Sequence, residues 1–167
     1  PSTRSRAWRV RLPLCLGAGL RPLVASPRLG VLPLGCSKVT SAGLASLGGF
    51  TRLEGLGLSQ TGMTDDDLSI LAGMRRLKRL GLADTEIADR GLPHLQQLAN
   101  LETLDLSNTW ISEKGLIHLK GLPNLNELFL RNTKANTSNS LRVLLPNVQR
   151  GRDSDPFGDR NRRMSLE

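Results

Sequence analysis

An α/β solenoid is the fold class the sequence predicts: a curved parallel sheet on the concave face and short helices on the convex face, built by stacking near-identical units. Three observations predict it. From Ser37 the chain divides without insertion into four blocks of 24 residues, 37–60, 61–84, 85–108 and 109–132. Leu recurs at the eighth, eleventh, seventeenth, twentieth and twenty-second places of all four blocks. Aromatics make up 3% of the 167 residues, Tyr is absent and Gly is abundant, which suits many small equivalent units better than a core built around bulky anchors.

Each block predicts its elements in order. Its first place is Ser or Thr, a turn position, and its third is Val39, Met63, Ile87 or Ile111. Thr64 and Ser112 then stand where a helix N-cap belongs, followed by Asp65, Asp66 and Asp67 or by Glu113, acids that favour a helix N-terminus. Leu at the eighth and eleventh places, three apart as in Leu116 and Leu119, forms the buried side of a short helix. An extended segment closes the block. In LETLDLSN, Leu104 and Leu106 face one way while Thr103, Asp105 and Ser107 face the other. One block cannot bury its own leucines, whereas stacked blocks pack each leucine on its equivalents above and below.

The L-x-x-L-x-L runs at Leu53-Leu56-Leu58, Leu77-Leu80-Leu82, Leu101-Leu104-Leu106 and Leu125-Leu128-Leu130 resemble the leucine-rich repeat family. The T-x-[IM]-[TSA]-x-x-[GD]-L segment that follows looks most like bacterial 24-residue repeats and is similar to the repeats of F-box-type substrate adaptors. One departure is that Ser37, Thr61, Thr85, Thr109 and Thr133 replace the family's usual buried Asn after the strand. A ladder of hydroxyls can satisfy the same turn backbone. The resemblance implies a non-catalytic module that binds a protein partner through the concave sheet.

Residues 31–40, VLPLGCSKVT, have two readings. The upstream arginines and an apolar run ending at Gly35-Cys36 suit a lipid-attachment signal, but Arg28 and Pro33 interrupt that run. The repeat register decides for the other reading. Block 13–36 carries Leu20, Leu23, Leu29, Leu32 and Leu34 at the five leucine places, so Leu32-Pro33-Leu34 is expected to be a strand and Cys36 a turn residue. Pro33 lacks a ladder donor and predicts a less regular sheet at this end. Residues 1–12 are read as a truncated first repeat, with Trp8 and Val10 in the twentieth and twenty-second places. At the other end, 133–150 reads as a capping repeat whose helix carries Leu141, Val143, Leu144 and Leu145, and 151–167 as a disordered tail. A chain that starts at Pro1 suits a processed form or a fragment of a larger multidomain protein, such as the recognition part of a substrate adaptor.

Charge is distributed unevenly. Of a net +8, residues 1–36 hold six Arg and no acid, whereas 37–132 hold ten basic and eleven acidic residues. Binding of nucleic acid or another anionic surface would therefore fall to the Arg-rich ends and not to a basic stripe along the body, and nucleic acid is not the expected partner. No apolar run is long enough to cross a bilayer, and nothing fixes a compartment.

No catalytic set escapes the repeat. His94 and His118 share the tenth place and lack ligand partners in that column. The run Asp65-Asp66-Asp67 matches no calcium loop. Cys15 occupies the apolar third place as a core residue, Cys36 is read as a free thiol, and a bridge between them stays open. The glycines of LGLSQTG belong to the repeat and not to a phosphate loop. No enzyme activity, cofactor, metal or small-molecule substrate is expected.

The partner surface is expected on outward strand places: Arg79, Thr103, Asp105, Glu127, Phe129 and Arg131, joined by Trp110 at the second place of its block. An exposed Phe129–Trp110 pair ringed by charges would be a hot spot with a polar rim. The competing reading has Phe129 packed on the C-terminal cap and Trp110 folded over the turn.

Overall fold

The structure is a computed structural model of the chain, and it describes residues 15–16, 30–35, 38–39, 45, 47–135 and 138–151. Readings that fall on Trp8, Val10, Leu20, Leu23, Leu29, Cys36 and the segment 152–167 lie outside the described residues, as does the Cys15 side chain.

Six parallel strands form one sheet in chain order: β2 (Val31–Pro33), β4 (Gly55–Gly57), β5 (Arg79–Gly81), β6 (Thr103–Asp105), β7 (Glu127–Phe129) and β8 (Gln149–Arg150). A second, two-stranded sheet pairs β1 (Cys15–Leu16) with β3 (Lys38–Val39). Strand partners from β2 to β7 are 24 residues apart throughout: Leu32 faces Leu56, Leu56 faces Leu80, Leu80 faces Leu104, and Leu104 faces Leu128. Three 3-10 helices, η1 (Asp66–Gly73), η2 (Asp89–Gln97) and η3 (Gly115–Gly121), carry each chain back from turn to strand. The α-helix α1 (Ser138–Leu144) takes their place in the final unit. The molecule is a leucine-rich repeat solenoid.

The leucine spacing of the returning helices fits the 3-10 period. At three residues per turn, side chains three apart eclipse one another, so Leu68 and Leu71, Leu92 and Leu95, and Leu116 and Leu119 all point inward and are buried. They meet the strand leucines Leu56, Leu80, Leu104 and Leu128, which are fully buried. A further column, Phe50, Met74, Leu98 and Leu122 at the fourteenth place, completes the core between helix and strand.

Polar columns hold the turns. Thr61, Thr85 and Thr109 donate their hydroxyls to the carbonyls of Leu58, Leu82 and Leu106 at 2.6 Å, and Thr133 donates to Leu130 at 2.9 Å. The hydroxyl thus satisfies a strand-end carbonyl at each step. Gln60, Asp84, Asn108 and Asn132, at the last place of each block, adopt positive φ of 53–59°, a conformation that Asn and Asp tolerate better than most side chains. The amides of Asn108 and Asn132 bond the preceding side chain of that column, Asp84 and Asn108, at 2.6 and 2.8 Å.

Thr64 and Ser112 stand just before their helices as expected for caps. The Ser112 hydroxyl accepts the Lys114 amide at 3.3 Å and donates to Asp89 of the preceding repeat, while Thr64 bonds Asp67 through both its amide, at 2.9 Å, and its hydroxyl, at 2.8 Å. Asp65 has a further role, shared by Asp89. Their Oδ1 atoms accept the backbone amides of Ala88 and Ser112 in the following repeat, each at 2.7 Å. These carboxylates are inter-repeat links, made possible by Gly91 and Gly115, where a Cβ would strike Asp65 and Asp89.

At the first end, the Leu34 amide donates to the Gly57 carbonyl at 2.7 Å. Successive amides along a strand point to opposite neighbours, so the donor missing at Pro33 faces away from β4. Pairing of β2 with β4 keeps the same register as the later strands. At the last strand the step shortens: Glu127 pairs with Gln149 and Leu128 with Arg150.

Candidate surface for a partner

The outward places of β4 to β7 are built from three columns. The nineteenth place holds Gly55, Arg79, Thr103 and Glu127; the twenty-first holds Gly57, Gly81, Asp105 and Phe129; the twenty-third holds Ser59, Ala83, Ser107 and Arg131. Exposure differs sharply between them. Arg79 and Arg131 are exposed, Thr103 and Glu127 are half-buried, and Gly55, Gly57, Gly81, Ala83 and Ser107 are buried.

Two predicted site residues are removed from the accessible surface. Phe129 is 5% exposed and Asp105 is 1% exposed. Phe129 is covered because the chain returning through β8 brings Gly151 onto its ring, with the Gly151 amide bonded to the Leu128 carbonyl at 2.9 Å. Only a residue without a side chain fits there. Asp105 is held inward by accepting the backbone amide of Ser107 at 2.9 Å. The Ser107 hydroxyl is buried and makes no hydrogen bond.

Trp110 is 64% exposed, as expected, but an exposed Phe–Trp pair does not form, since Phe129 is covered. Trp110 instead lies on the turn column, where its amide bonds the Ile87 carbonyl at 2.9 Å and the Lys134 ammonium stands 5.9 Å from its ring centroid. That distance is within cation–π range. The accessible part of the predicted site is therefore Arg79, Thr103, Glu127 and Arg131 beside the sheet, with Trp110 on the turn.

The segment leading into the strands holds charge that the predicted site omitted. Arg52, Arg75 and Arg76 are exposed there, and Lys78 is paired with Glu54 at 3.3 Å. Basic residues at the fifteenth, sixteenth and nineteenth places of block 61–84, with Arg52 at the sixteenth place of the block before, were the available signal. Among the described residues, no group of three or more His, Cys, Asp or Glu side chains could hold a metal ion, and no helix is long and apolar enough to cross a membrane.

No family model and no curated protein matches the sequence. Solved structures do match the fold. An internalin (inlF) from Listeria monocytogenes aligns at TM-score 0.64 and 24% identity over 81% of this chain. An internalin C2 (inlC2) from Listeria monocytogenes aligns at TM-score 0.58 and 24% identity over 79% of it. A plant peptide hormone receptor, RGFR1 in complex with RGF2, aligns at TM-score 0.51 and 18% identity over 81%. The chain spans 38%, 65% and 22% of those three chains, respectively.

Proposed function

We propose, from the leucine-rich repeat fold as premise, that this chain is a non-catalytic module that binds a protein partner along the outer side of its sheet. The observation that carries the reading is the row of accessible polar side chains Arg79, Thr103 and Glu127, on successive strands in constant register, with Arg131 just beyond β7. Strand pairing fixes the backbone spacing before binding, so only side-chain rotamers are ordered on contact, which favours recognition of an extended surface. A solvated rim of this kind gives specificity and fast encounter, while neighbouring apolar contacts give affinity. The receptor neighbour is seen in complex with RGF2, which supports a binding role for this fold. The role of recognition segment within a longer protein, such as a substrate adaptor, is compatible with the same surface.

The test is site-specific photo-crosslinking. A photoreactive amino acid replaces Thr103 or Glu127 on the sheet side, and Gln97 on η2 as the control, in cells that express the protein natively. The reading expects discrete crosslinked protein bands from the first two positions and none from the third. Bands from Gln97 alone would move the binding face to the helices and overturn it.

A further inference from the structure

We propose that the partner presents an acidic protein segment, and that Arg52, Arg75, Arg76 and Arg79 receive it. This rests on the protein-binding reading and specifies the chemistry of the partner.

The four arginines occupy two consecutive repeats. Arg52 and Arg76 share the sixteenth place, Arg75 precedes Arg76, and Arg79 opens β5. All four are exposed. Strand spacing sets the two repeats only about 4.8 Å apart, so guanidinium groups on this rim repel one another. Among the described residues, none of the four has a carboxylate within bridging distance; the neighbouring Glu54 is taken by Lys78.

The fold does not require arginine here. In the next two repeats the sixteenth place is Asn100 and Asn124, and each amide donates to a carbonyl of the preceding repeat, Arg75 at 2.7 Å and Ala99 at 2.8 Å. Among the described residues, the side chains of Arg52 and Arg76 make no such bond. Arg79 is also set up for contact. Its guanidinium lies 3.6 Å from where a Cβ on Gly55 would stand, so the missing side chain at Gly55 gives it room to lie back across β4. A cluster of like charges that contributes nothing to stacking is retained at an energetic cost, and a bound anion removes that cost.

The acidic side of the patch selects among anions. Among the described residues the patch covers two repeats, and toward β6 the rim continues with Glu102, exposed, and Glu127, half-buried. A polyphosphate backbone tracking the rim would run onto these carboxylates. A short run of Asp or Glu side chains fits the basic stretch and stops before them. Guanidinium forks bind carboxylates in a bidentate geometry that lysine cannot supply.

The test is fluorescence anisotropy with a labelled oligoglutamate peptide at about 0.15 M ionic strength. An oligothymidylate of equal length and vesicles of phosphatidylcholine and phosphatidylserine serve as the other two anions. Two triple variants with the same change of charge are compared: Arg75→Ala with Arg76→Ala and Arg79→Ala, and Arg4→Ala with Arg6→Ala and Arg9→Ala. Circular dichroism melts establish that both fold. The expected result is peptide binding that weakens at least about tenfold in the first triple and less than about twofold in the second. Equal losses in the two triples would reduce the effect to net charge and overturn the proposal, as would no peptide binding, or tighter binding to the oligothymidylate or the vesicles. Crosslinks from Thr103 and Glu127 together with any of those outcomes would leave the protein-binding reading standing and remove only the acidic partner.

Discussion

Single residues in this chain matter through the column they belong to. Gly91 is the clearest case. A Cβ there would lie 2.7 Å from Asp65 Oδ1 and 3.2 Å from the Asp65 Cα. The Asp65 carboxylate cannot withdraw freely, because it accepts the Ala88 amide at 2.7 Å. Gly91→Ala should therefore destabilise by about 1–3 kcal/mol, the usual cost of overpacking a filled site. Gly121→Ala meets nothing within 4 Å and should stay within about 0.5 kcal/mol of the parent. Urea melts of the two variants check the contrast; equal effects would mean that the carboxylate link does not constrain the repeat. Phe129 shows the limit of column logic. Its neighbours at the same place are Gly57, Gly81 and Asp105, and nothing in that column signals that Gly151, twenty-two residues on, will cover the ring.

At the scale of elements, β2 carries the reading of VLPLGCSKVT. Leu32 and Leu34 are 0% and 1% exposed, and Leu32 pairs in register with Leu56. Leu32→Asp would bury an unpaired carboxylate among stacked leucines, at a cost of several kcal/mol, and should lower the melting temperature steeply. A substitution at a half-buried outward place of the same sheet, Thr103→Ser, should change it little. If Leu32→Asp melts like the parent, the strand does not belong to the core. The strands and leucine columns were legible because a 24-residue period places Leu32, Leu56, Leu80, Leu104 and Leu128 on one line. The fourteenth-place column was not, since Phe50, Met74, Leu98 and Leu122 change identity at nearly every step while keeping only their apolar character. The three-residue spacing of Leu68 and Leu71 indicated a short helix but not its type, since that spacing fits an α-helix as well as a 3-10 helix. Of the candidate surface, Arg79, Trp110 and Arg131 are exposed as expected, whereas Asp105 is withdrawn by its local bond to the Ser107 amide and Phe129 by the chain returning through Gly151.

For the whole molecule, stability is a sum over repeats and the interfaces between neighbours. Each of the three blocks from 61 to 132 contributes one layer to the same leucine columns, the same threonine ladder and the same run of positive-φ residues. The proposed partner surface, by contrast, is not periodic. Arg52 to Arg79 lie on two of its repeats, and Glu102 and Glu127, with Arg131, on the next two. Structure is carried by what the blocks share, and the proposed recognition by what they do not. The most direct test of that division is thermal unfolding, followed by circular dichroism, of a chain lacking block 61–84 in full. Joining Gln60 to Thr85 restores every column, so a single cooperative transition at a lower temperature is predicted, with mixed helix and strand retained. Removal of 61–72 alone breaks every column and should leave no folded state. If the full-block deletion unfolds as completely as the half-block deletion, the interchangeable-repeat account is wrong.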